Sequence, residues 1–517
     1  MMKDDETKIY LQDIVRIAKG AWINFCGTLL GRGLGILFTL LISRTLIVNE
    51  VGIYYLAITI INLAVMISLL GLDSGILRYI SIFSGKKDIR RVKGTIISSL
   101  WIAIPMSIII AILLFLSSRH ISLLFNKPEL VMVLKVFSLT IPFFVITHIF
   151  IKVTHSLRLM HFNLYVRDLG EQILKILLAA IFLYMGWRIL GVILSNIITI
   201  ILIMGISLYL MNRLIPLTDK NDRPILEFKQ LTRFSFPQLF STFSLFLIMW
   251  TDTLMLGYFS DSGNVGIYNV TTRIAILGSL ILSSFNTIFS PMISDLHNRE
   301  MMHQLEGLFQ TVTKWIFTLS FPLFLIFIFF AKPILAIFGT EFIVGYSCLI
   351  ILSIGQLINS ITGPSGLVLL MSGRSYISLF NDLSVCILNI ILNYQLIPRY
   401  GLLGAAIATT LSITIVNLLR LIEVFYIWKI HPYSVSYLKP LFAGLIGVSI
   451  ISIINKIPFF VDNIWSLFIF ISLFLVIYLS LLCLFGLDKR DSYILKIVGN
   501  RLCHTILTKS GQIIRSY

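Results

Sequence analysis

The chain has 517 residues, of which 57% are hydrophobic and only 13% are charged, whereas soluble domains are about 45 to 50% apolar and about 25% charged. This composition excludes an ordinary soluble protein and indicates an integral membrane protein. The 41 Lys and Arg residues exceed the 24 Asp and Glu residues, and basic loops that orient a membrane protein account for this surplus without a nucleic-acid partner. We therefore predict no nucleic-acid binding, and we expect the basic loops to meet anionic membrane lipids.

A helix needs about 20 mostly apolar residues to cross a bilayer, and fourteen segments of the chain meet this requirement. In chain order the predicted spans are 21–43, 52–72, 95–117, 130–151, 170–187, 189–210, 238–258, 266–290, 315–331, 347–372, 377–397, 401–428, 438–455 and 464–486. An even number of spans places both termini on one side, and 28 of the 41 Lys and Arg residues then fall in stretches on that side. Because basic residues concentrate in cytoplasmic loops, we predict an all-α multi-pass protein of the cytoplasmic membrane with both termini in the cytoplasm.

The two halves of the chain share a sequence pattern at a constant offset. Val51-Gly52-Ile53-Tyr54 recurs 214 positions later as Val265-Gly266-Ile267-Tyr268, and Asp168-Leu169 recurs at the same offset as Asp382-Leu383. The offset covers six predicted spans, so the copies have the same orientation, as in transporters whose substrate site lies between two lobes. We predict two parallel six-helix repeats that form two lobes. The predicted divisions are an N-terminal lobe at 1–225, a C-terminal lobe at 226–432, two extra helices at 433–487 and a basic cytoplasmic tail at 488–517.

Several segments carry a resemblance to a known family. They are Gly31-Arg32-Gly33 in the first span, Gly71-Leu72-Asp73-Ser74 at the end of the second, and a stretch from Phe236-Pro237 through Asp252 to Val265-Gly266-Ile267-Tyr268. By their order and spacing the chain resembles the polysaccharide-biosynthesis, or oligosaccharide flippase, family of the multidrug/oligosaccharidyl-lipid/polysaccharide exporter superfamily. The resemblance implies a flippase, not an enzyme, that carries a prenyl-diphosphate-linked glycan from the inner to the outer leaflet by alternating access. Polysaccharide assembly proteins are the protein partners that it suggests.

A cation-coupled multidrug extruder of the same superfamily is the alternative interpretation. Such relatives tend to carry a carboxylate in the first helix for the driving ion, whereas this chain has Arg32 there. An arginine suits an anionic lipid better than a cationic drug. A membrane glycosyltransferase is disfavoured because the chain has no large outer loop and no D-x-D motif near an outer helix end.

Basic residues within or beside the predicted spans are the candidate substrate-binding residues. Arg32 lies about 16 Å into the first span at 1.5 Å per residue, so it either faces a cavity or pairs with a carboxylate inside the membrane. Arg273 lies in the eighth span, where related lipid-diphosphate flippases carry an arginine, and Lys175 lies near the inner end of the fifth. Lys152 and Arg158, at the inner end of the fourth span, either contact substrate or serve as positive-inside anchors.

Acidic and amide residues in the second half are the candidate cation-coupling groups. Asp252 lies deep in the seventh span, where a carboxylate must be protonated, paired or bound to a cation. Asp382 is the candidate second ligand, and Asn381, Asn389 and Asn393 supply further oxygens on the same predicted helix. The coupling ion is either Na⁺ or a proton, and a structural ion pair or a hydrogen-bonded polar spot is the other interpretation.

The remaining charged groups receive structural interpretations. Asp168 and Glu171 are expected in solvent near the membrane edge, and Arg420 with Glu423 is expected to pair within one helix at i, i+3 spacing. The five cysteines are scattered without metal-ligand spacing, so no metal site and no organic cofactor are predicted.

Overall fold

The computed structural model describes residues 27, 29–157, 159, 162, 164–216, 224–454 and 464–486, and these residues form helices and connections without a β-strand. The helices are α1 (29–45), α2 (Val48–Leu69), α3 (Leu72–Gly85), α4 (Ile89–Leu124), α5 (Leu130–Ser138), α6 (Ile141–Ser156), a π-helical segment (Leu164–Glu171), α7 (Gln172–Tyr184), α8 (Arg188–Leu214), α9 (Phe228–Phe259), α10 (Ser262–Ala275), α11 (Gly278–Asn298), α12 (Met302–Phe329), α13 (Ala331–Ala336), α14 (Tyr346–Ile361), α15 (Ser365–Met371), α16 (Ser375–Tyr400), α17 (Leu402–Trp428), α18 (Leu438–Ile454) and α19 (Ile464–Leu484).

Within this described part, eight helices are long and apolar enough to cross a membrane, and up to eleven spans result when each bent helix pair counts as one. The prediction of an all-α integral membrane protein is therefore confirmed. The number of fourteen spans stays a prediction, as do the boundaries of the lobes and the position of the termini.

Several predicted spans are broken rather than continuous. Near the end of the second predicted span, 52–72, α2 stops because Leu70 and Gly71 have left-handed backbone angles, with φ of 48° and 74°. Glycine tolerates this conformation without steric cost, and α3 then begins at Leu72 and continues to Gly85. The fourth predicted span, 130–151, is divided into α5 and α6, which meet at 52°. A hydropathy pattern gives the apolar length of such a span but not its change of direction.

At one end of the bundle, α2 and α10 cross with their backbones in contact. A Cβ atom added to Gly52 would lie only 1.7 Å from the carbonyl oxygen of Ser262, so only glycine fits at this crossing. Each helix carries the repeated Val-Gly-Ile-Tyr motif near its start, and the contact joins the first half of the chain to the second. For the two halves we keep the names of the predicted divisions, N-terminal lobe and C-terminal lobe. We call this contact the outer seam, because the distribution of basic residues predicts this end to be extracytoplasmic.

Two cations of the N-terminal lobe reinforce the outer seam through backbone carbonyls of the C-terminal lobe. Lys127 is buried, and its Nζ donates hydrogen bonds to the carbonyl oxygens of Gly257 at 2.6 Å and Ser260 at 2.9 Å. The Nη2 of Arg44 donates to the carbonyl oxygen of Ala336 at 3.1 Å. Burial lowers the pKa of the Lys127 ammonium group, which lies in the connection between α4 and α5.

At the opposite end, α3 packs against the first turns of α9, and we call this contact the inner seam. A Cβ atom on Gly71 would lie 2.2 Å from the carbonyl oxygen of Ser235, and the hydroxyl of Tyr79 donates to the carbonyl oxygen of Gln230 at 3.4 Å. The lobes therefore touch at both ends. Tyr54, Ile58 and Asn62 of α2, between the two seams, face a cavity.

Candidate functional site

A cavity of about 630 Å³, which we call the central cavity, lies between the predicted lobes. The N-terminal lobe supplies most of its wall, from α1, α2, the π-helical segment and α7, and the C-terminal lobe closes it with α9, α10 and the connection between α10 and α11. The lining residues are Gly31, Arg32, Gly35, Ile36, Phe38, Tyr54, Ile58, Asn62, Arg167, Asp168, Glu171, Gln172, Lys175, Trp250, Arg273, Ile276 and Leu277.

The cavity brings together three of the predicted substrate-binding residues. Arg32 comes from α1, Lys175 from α7 and Arg273 from α10, so both lobes contribute positive charge. The repeat counterpart of Arg273 is Thr59, which is fully buried. The positive charge at this position is therefore a property of one lobe only.

The π-helical segment adds charges that the sequence interpretation placed elsewhere. Arg167 lines the cavity, and no sequence feature had singled it out. Asp168 and Glu171, expected in solvent, also line it, because the segment continues directly into α7 and carries them to the cavity wall. Among the lining residues that the structure describes, four cationic side chains face two carboxylates, so this wall carries a net positive charge.

Arg32 has no salt bridge within the described part of the chain, and its Nη1 atom is buried without a hydrogen-bond partner there. A buried polar atom without a partner is rare in native proteins, so this donor is available to a ligand that enters the cavity. Of the two interpretations of Arg32, this arrangement favours the cavity role over pairing with a carboxylate.

The other two predicted cations rest on aromatic rings. The Nζ of Lys175 lies 4.8 Å from the ring centroid of Phe38, and the guanidinium carbon of Arg273 lies 4.8 Å from that of Tyr55. Such cation–π contacts hold a positive charge in place without neutralising it. Both groups therefore keep their hydrogen-bond donors for a ligand.

Lys152 and Arg158 are not part of this arrangement as the structure describes it. The Nζ of Lys152 forms an ion pair with Asp73 of α3 at 3.5 Å, and Lys152 is absent from the cavity wall. The choice between substrate contact and a positive-inside anchor for Lys152 stays a prediction. Arg158 lies outside the described residues.

Asp252 is buried in the C-terminal lobe and accepts hydrogen bonds from three other helices. The hydroxyl of Tyr268 on α10 donates to Oδ2 at 2.6 Å, and Thr409 on α17 donates to the same oxygen. On α16, the Nδ2 atoms of Asn393 and Asn389 lie 2.7 Å and 3.4 Å from Oδ1. In this structure Asp252 is a hydrogen-bonded polar group, not half of an ion pair.

The composition of this cluster, which we call the Asp252 cluster, fits a monovalent cation. One carboxylate, two amides and two hydroxyls are all oxygen-bearing groups, which hard cations prefer, and a single carboxylate balances a single positive charge. The buried Oδ1 of Asn393 has no hydrogen-bond partner within the described residues. Rotation of an asparagine amide exchanges its nitrogen for its oxygen, so Asn389 and Asn393 each have an oxygen to turn toward a bound ion.

Asp382 does not belong to the Asp252 cluster. It lies seven residues before Asn389 on α16, about 10 Å along the helix at 1.5 Å per residue, and it forms a salt bridge with Arg420 of α17. The expected pairing of Arg420 with Glu423 is wrong, because Glu423 instead accepts a hydrogen bond from the Nδ2 of Asn381 at 2.6 Å. Both contacts join α16 to α17, and interhelical packing outweighs the i, i+3 spacing.

Two members of the Asp252 cluster, Tyr268 and Thr409, were not identified from the sequence. Tyr268 closes the repeated Val-Gly-Ile-Tyr motif, and its counterpart Tyr54 lines the central cavity, so the repeat was a usable signal for this residue. Thr409 lies in an apolar stretch that gave no such signal.

Sequence comparison matches residues 17–297, more than half of the chain, to the family described as "Polysaccharide biosynthesis protein". Residues 237–395 also match the family described as "MatE".

Two curated relatives carry descriptive names. A protein of Haloferax volcanii named "Probable flippase AglR" is 28% identical over 225 residues, and a protein of Staphylococcus aureus named "Capsular polysaccharide biosynthesis protein CapF" is 25% identical over 206 residues. Each alignment covers 40% of this chain, with 45% of the first relative and 51% of the second. The chain thus matches about half the length of these relatives.

Solved structures share the fold along most of the chain. A structure of the lipid II flippase MurJ in an inward closed conformation superimposes with a TM-score of 0.72 at 18% identity, covering 89% of this chain and 98% of that one. An inward-facing multidrug resistance transporter of the MATE family gives a TM-score of 0.61 at 16% identity, covering 79% of this chain and 98% of that one. At these identities the likeness concerns the fold alone.

Proposed function

Because the chain belongs to the polysaccharide biosynthesis protein family, we propose that it is a flippase that moves a prenyl-diphosphate-linked oligosaccharide across the cytoplasmic membrane for glycan assembly. The observation that carries this proposal is the group of cations in the cavity between the lobes, with the unpartnered Nη1 of Arg32 among them. In this proposal the termini are cytoplasmic and polysaccharide assembly proteins are partners.

The chemistry of the cavity suits a diphosphate. Charge inside a membrane is costly and usually functional, so an anionic headgroup crosses only where fixed positive charge replaces its hydration. Arginine binds phosphate oxygens through paired, charge-assisted hydrogen bonds. Arg32 and Arg273 contribute such donors from opposite lobes, and Lys175 adds a point charge.

In the proposed alternating-access cycle, the inner seam and the outer seam separate in turn. The inner seam must separate for the headgroup to enter from the cytoplasmic leaflet, and the outer seam must separate for its release. A bound substrate drives this change only by contacting one state better than the other. Because Arg32 and Arg273 belong to different lobes, their contacts to one diphosphate change as the lobes move.

We propose a cation site at the Asp252 cluster as the coupling element. A bound Na⁺ or proton neutralises the buried carboxylate and displaces the hydrogen bonds that join α9, α10, α16 and α17. Asp382 is not included, because its carboxylate is already paired with Arg420.

A multidrug extruder is the second candidate, and the match of residues 237–395 to the MatE family favours it. The net positive charge of the cavity opposes it, since a cationic drug would meet four basic side chains. Transport of an organic cation such as ethidium, measured in the same vesicles as lipid flipping, distinguishes the two candidates.

The experiment uses the full-length protein reconstituted in liposomes with a polyprenyl-diphosphate-linked disaccharide that carries a fluorescent group on the sugar. Flipping is followed by chemical reduction of the outer-leaflet fluorophore. We expect Arg32→Ala and Arg273→Ala each to lower the initial rate by at least about tenfold, the scale of one lost charge-assisted contact, and we expect lysine at either position to retain part of the rate.

Arg119→Ala is the matched control, since Arg119 is an exposed cation of α4 outside the cavity, and it should flip at the wild-type rate. Wild-type rates in both cavity variants would refute the cationic-cavity mechanism.

A further inference from the structure

A second cavity, of about 520 Å³, lies on the inner seam. Its wall consists of Arg78 and Tyr79 from α3 with Lys229, Gln230, Arg233 and Phe234 from the first turns of α9. Among the residues that the structure describes, its wall therefore contains three cations, two aromatic rings and no carboxylate. Both lobes contribute, and none of these residues belongs to the central cavity.

Aromatic contacts fix the position of positive charge in this inner cavity. The guanidinium carbon of Arg78 lies 4.4 Å from the ring centroid of Phe234, across the seam, and 5.9 Å from that of Tyr79. Such stacking leaves the edge donors of a guanidinium available. In the part of the chain that the structure describes, neither Arg78, Lys229 nor Arg233 forms a salt bridge, so the inner cavity carries uncompensated charge suited to an anion.

The surroundings of the inner cavity indicate that this anion is attached to a lipid. Arg233, Phe236 and Phe240 have i, i+3 and i+7 spacing, which places them on one face of α9. Phe236 is 56% exposed and Phe240 is 64% exposed, and Leu77, beside Arg78, is 44% exposed. Exposed apolar side chains of this kind are suited to contact with acyl chains. A phosphate at the cations thus continues into an apolar path along α9.

We propose that the inner cavity binds the phosphate of an anionic membrane phospholipid in the cytoplasmic leaflet. The site is complete only when α3 and the first turns of α9 are together, because Arg78 belongs to one lobe and Lys229 and Arg233 to the other. A lipid that binds this state more tightly also favours it. The lipid therefore holds the inner seam closed, a role separate from that of the transported substrate.

Native mass spectrometry of the full-length protein in detergent tests the binding, with phosphatidylglycerol against phosphatidylcholine as probes. The triple variant Arg78→Gln, Lys229→Gln, Arg233→Gln should bind phosphatidylglycerol at least about tenfold more weakly than the wild type, since each basic group near an anionic headgroup contributes to affinity.

The matched control is Lys86→Gln, Lys87→Gln, Arg213→Gln, which removes the same charge on the same predicted side, and it should keep wild-type affinity. Equal losses in the two triple variants, or no loss in either, would overturn the proposal. If the first triple variant does not purify as a monodisperse protein, the single variants Arg78→Gln and Arg233→Gln decide in the same way, because both side chains are exposed.

Two further binding measurements identify the source of the phosphate. They also distinguish failure of this proposal from failure of the proposed flippase function, on which it does not depend. Inorganic diphosphate at millimolar concentration should leave phosphatidylglycerol bound, and diphosphate binding as tight as that of the lipid would contradict the lipid assignment. The variant Arg32→Gln should retain phosphatidylglycerol, whatever its effect on flipping. Loss of the lipid in this variant would place the phosphate in the central cavity instead.

The effect on the inner seam is measurable with spin labels at Ile82 of α3 and Thr232 of α9, neither of which lines the inner cavity. In nanodiscs, phosphatidylglycerol should shift the label-to-label distance distribution toward its shorter component relative to phosphatidylcholine. An unchanged distribution would refute the role in closure.

Discussion

Gly266 lies against Gly52, and a Cβ atom on Gly266 would be 3.0 Å from the backbone nitrogen of Gly52. The two residues hold equivalent positions in the two repeats, so at the outer seam the repeats meet at their own shared motif. The crossing distance of α2 and α10 depends on the absence of a side chain from both.

The first prediction follows from this contact. Gly52→Ala should weaken the closed outer seam, because overpacking of this kind costs about 1 to 3 kcal/mol. A single cysteine at Ile58, which lines the central cavity, should then react faster with an impermeant thiol reagent added from outside, in a background without native cysteines. Gly205→Ala is the control, since nothing lies within 4 Å of its added Cβ. Equal rates in both variants would contradict this role of Gly52.

The second prediction concerns the Asp252 cluster. Asp252→Asn removes the only carboxylate of the cluster while keeping its size, so the protein should insert and fold but lose stimulation of lipid flipping by an imposed Na⁺ or proton gradient. The measurement is the ratio of flipping rates with and without the gradient in liposomes. A ratio equal to that of the wild type would refute cation coupling at Asp252. A collapse of expression would instead indicate a structural role.

The third prediction concerns the pair Asp382 and Arg420. Each single variant, Asp382→Asn or Arg420→Gln, should lower the thermal unfolding midpoint of the purified protein, because each leaves a partly buried charge without its partner. The double variant should be more stable than the sum of the single effects, with a coupling of about 0.5 to 3 kcal/mol. Gradient stimulation should persist in Asp382→Asn. Strictly additive single effects would show that the two side chains do not interact.

The fourth prediction concerns topology. A single cysteine at Lys87, in the connection between α3 and α4, should be protected from an impermeant thiol reagent in intact cells, whereas one at Asp261, before α10, should react. The reason is the concentration of Lys and Arg on the side of Lys87. The reverse labelling pattern would invert the assignment, and with it the meaning of the inner and outer seams.

The sequence was sufficient for the helical membrane fold and for the cations of the central cavity. Apolar length identifies a span, and a charge within it is costly enough to indicate function, which singled out Arg32, Lys175 and Arg273. The sequence did not identify Arg167, because this residue precedes the predicted span 170–187. It lines the cavity because the π-helical segment places it there. The bend between α5 and α6, inside the predicted span 130–151, was missed for a related reason, since it changes direction without interrupting hydropathy.

The partners of the acidic residues could not be predicted from the sequence. Asp252, Asn389 and Asn393 were identified as polar groups deep in spans, yet their contacts with Tyr268 and Thr409 depend on how four helices pack. Asp382 was grouped with Asp252 because it lies in the predicted helix that repeats the fifth span, on the same helix as Asn389 and Asn393. Their partners differ because α17 presents Thr409 to one and Arg420 to the other.

The hydrogen-bond acceptors at the outer seam are insensitive to most amino-acid substitutions. Lys127 and Arg44 donate to backbone carbonyls, which remain whatever side chains occupy Gly257, Ser260 and Ala336. A carbonyl also does not titrate, so acidification leaves the acceptors unchanged. Substitutions can therefore remove these contacts mainly at the donors, Lys127 and Arg44, which belong to the N-terminal lobe. A chimera that takes its second lobe from a relative retains them as long as the ends of its helices follow the same path.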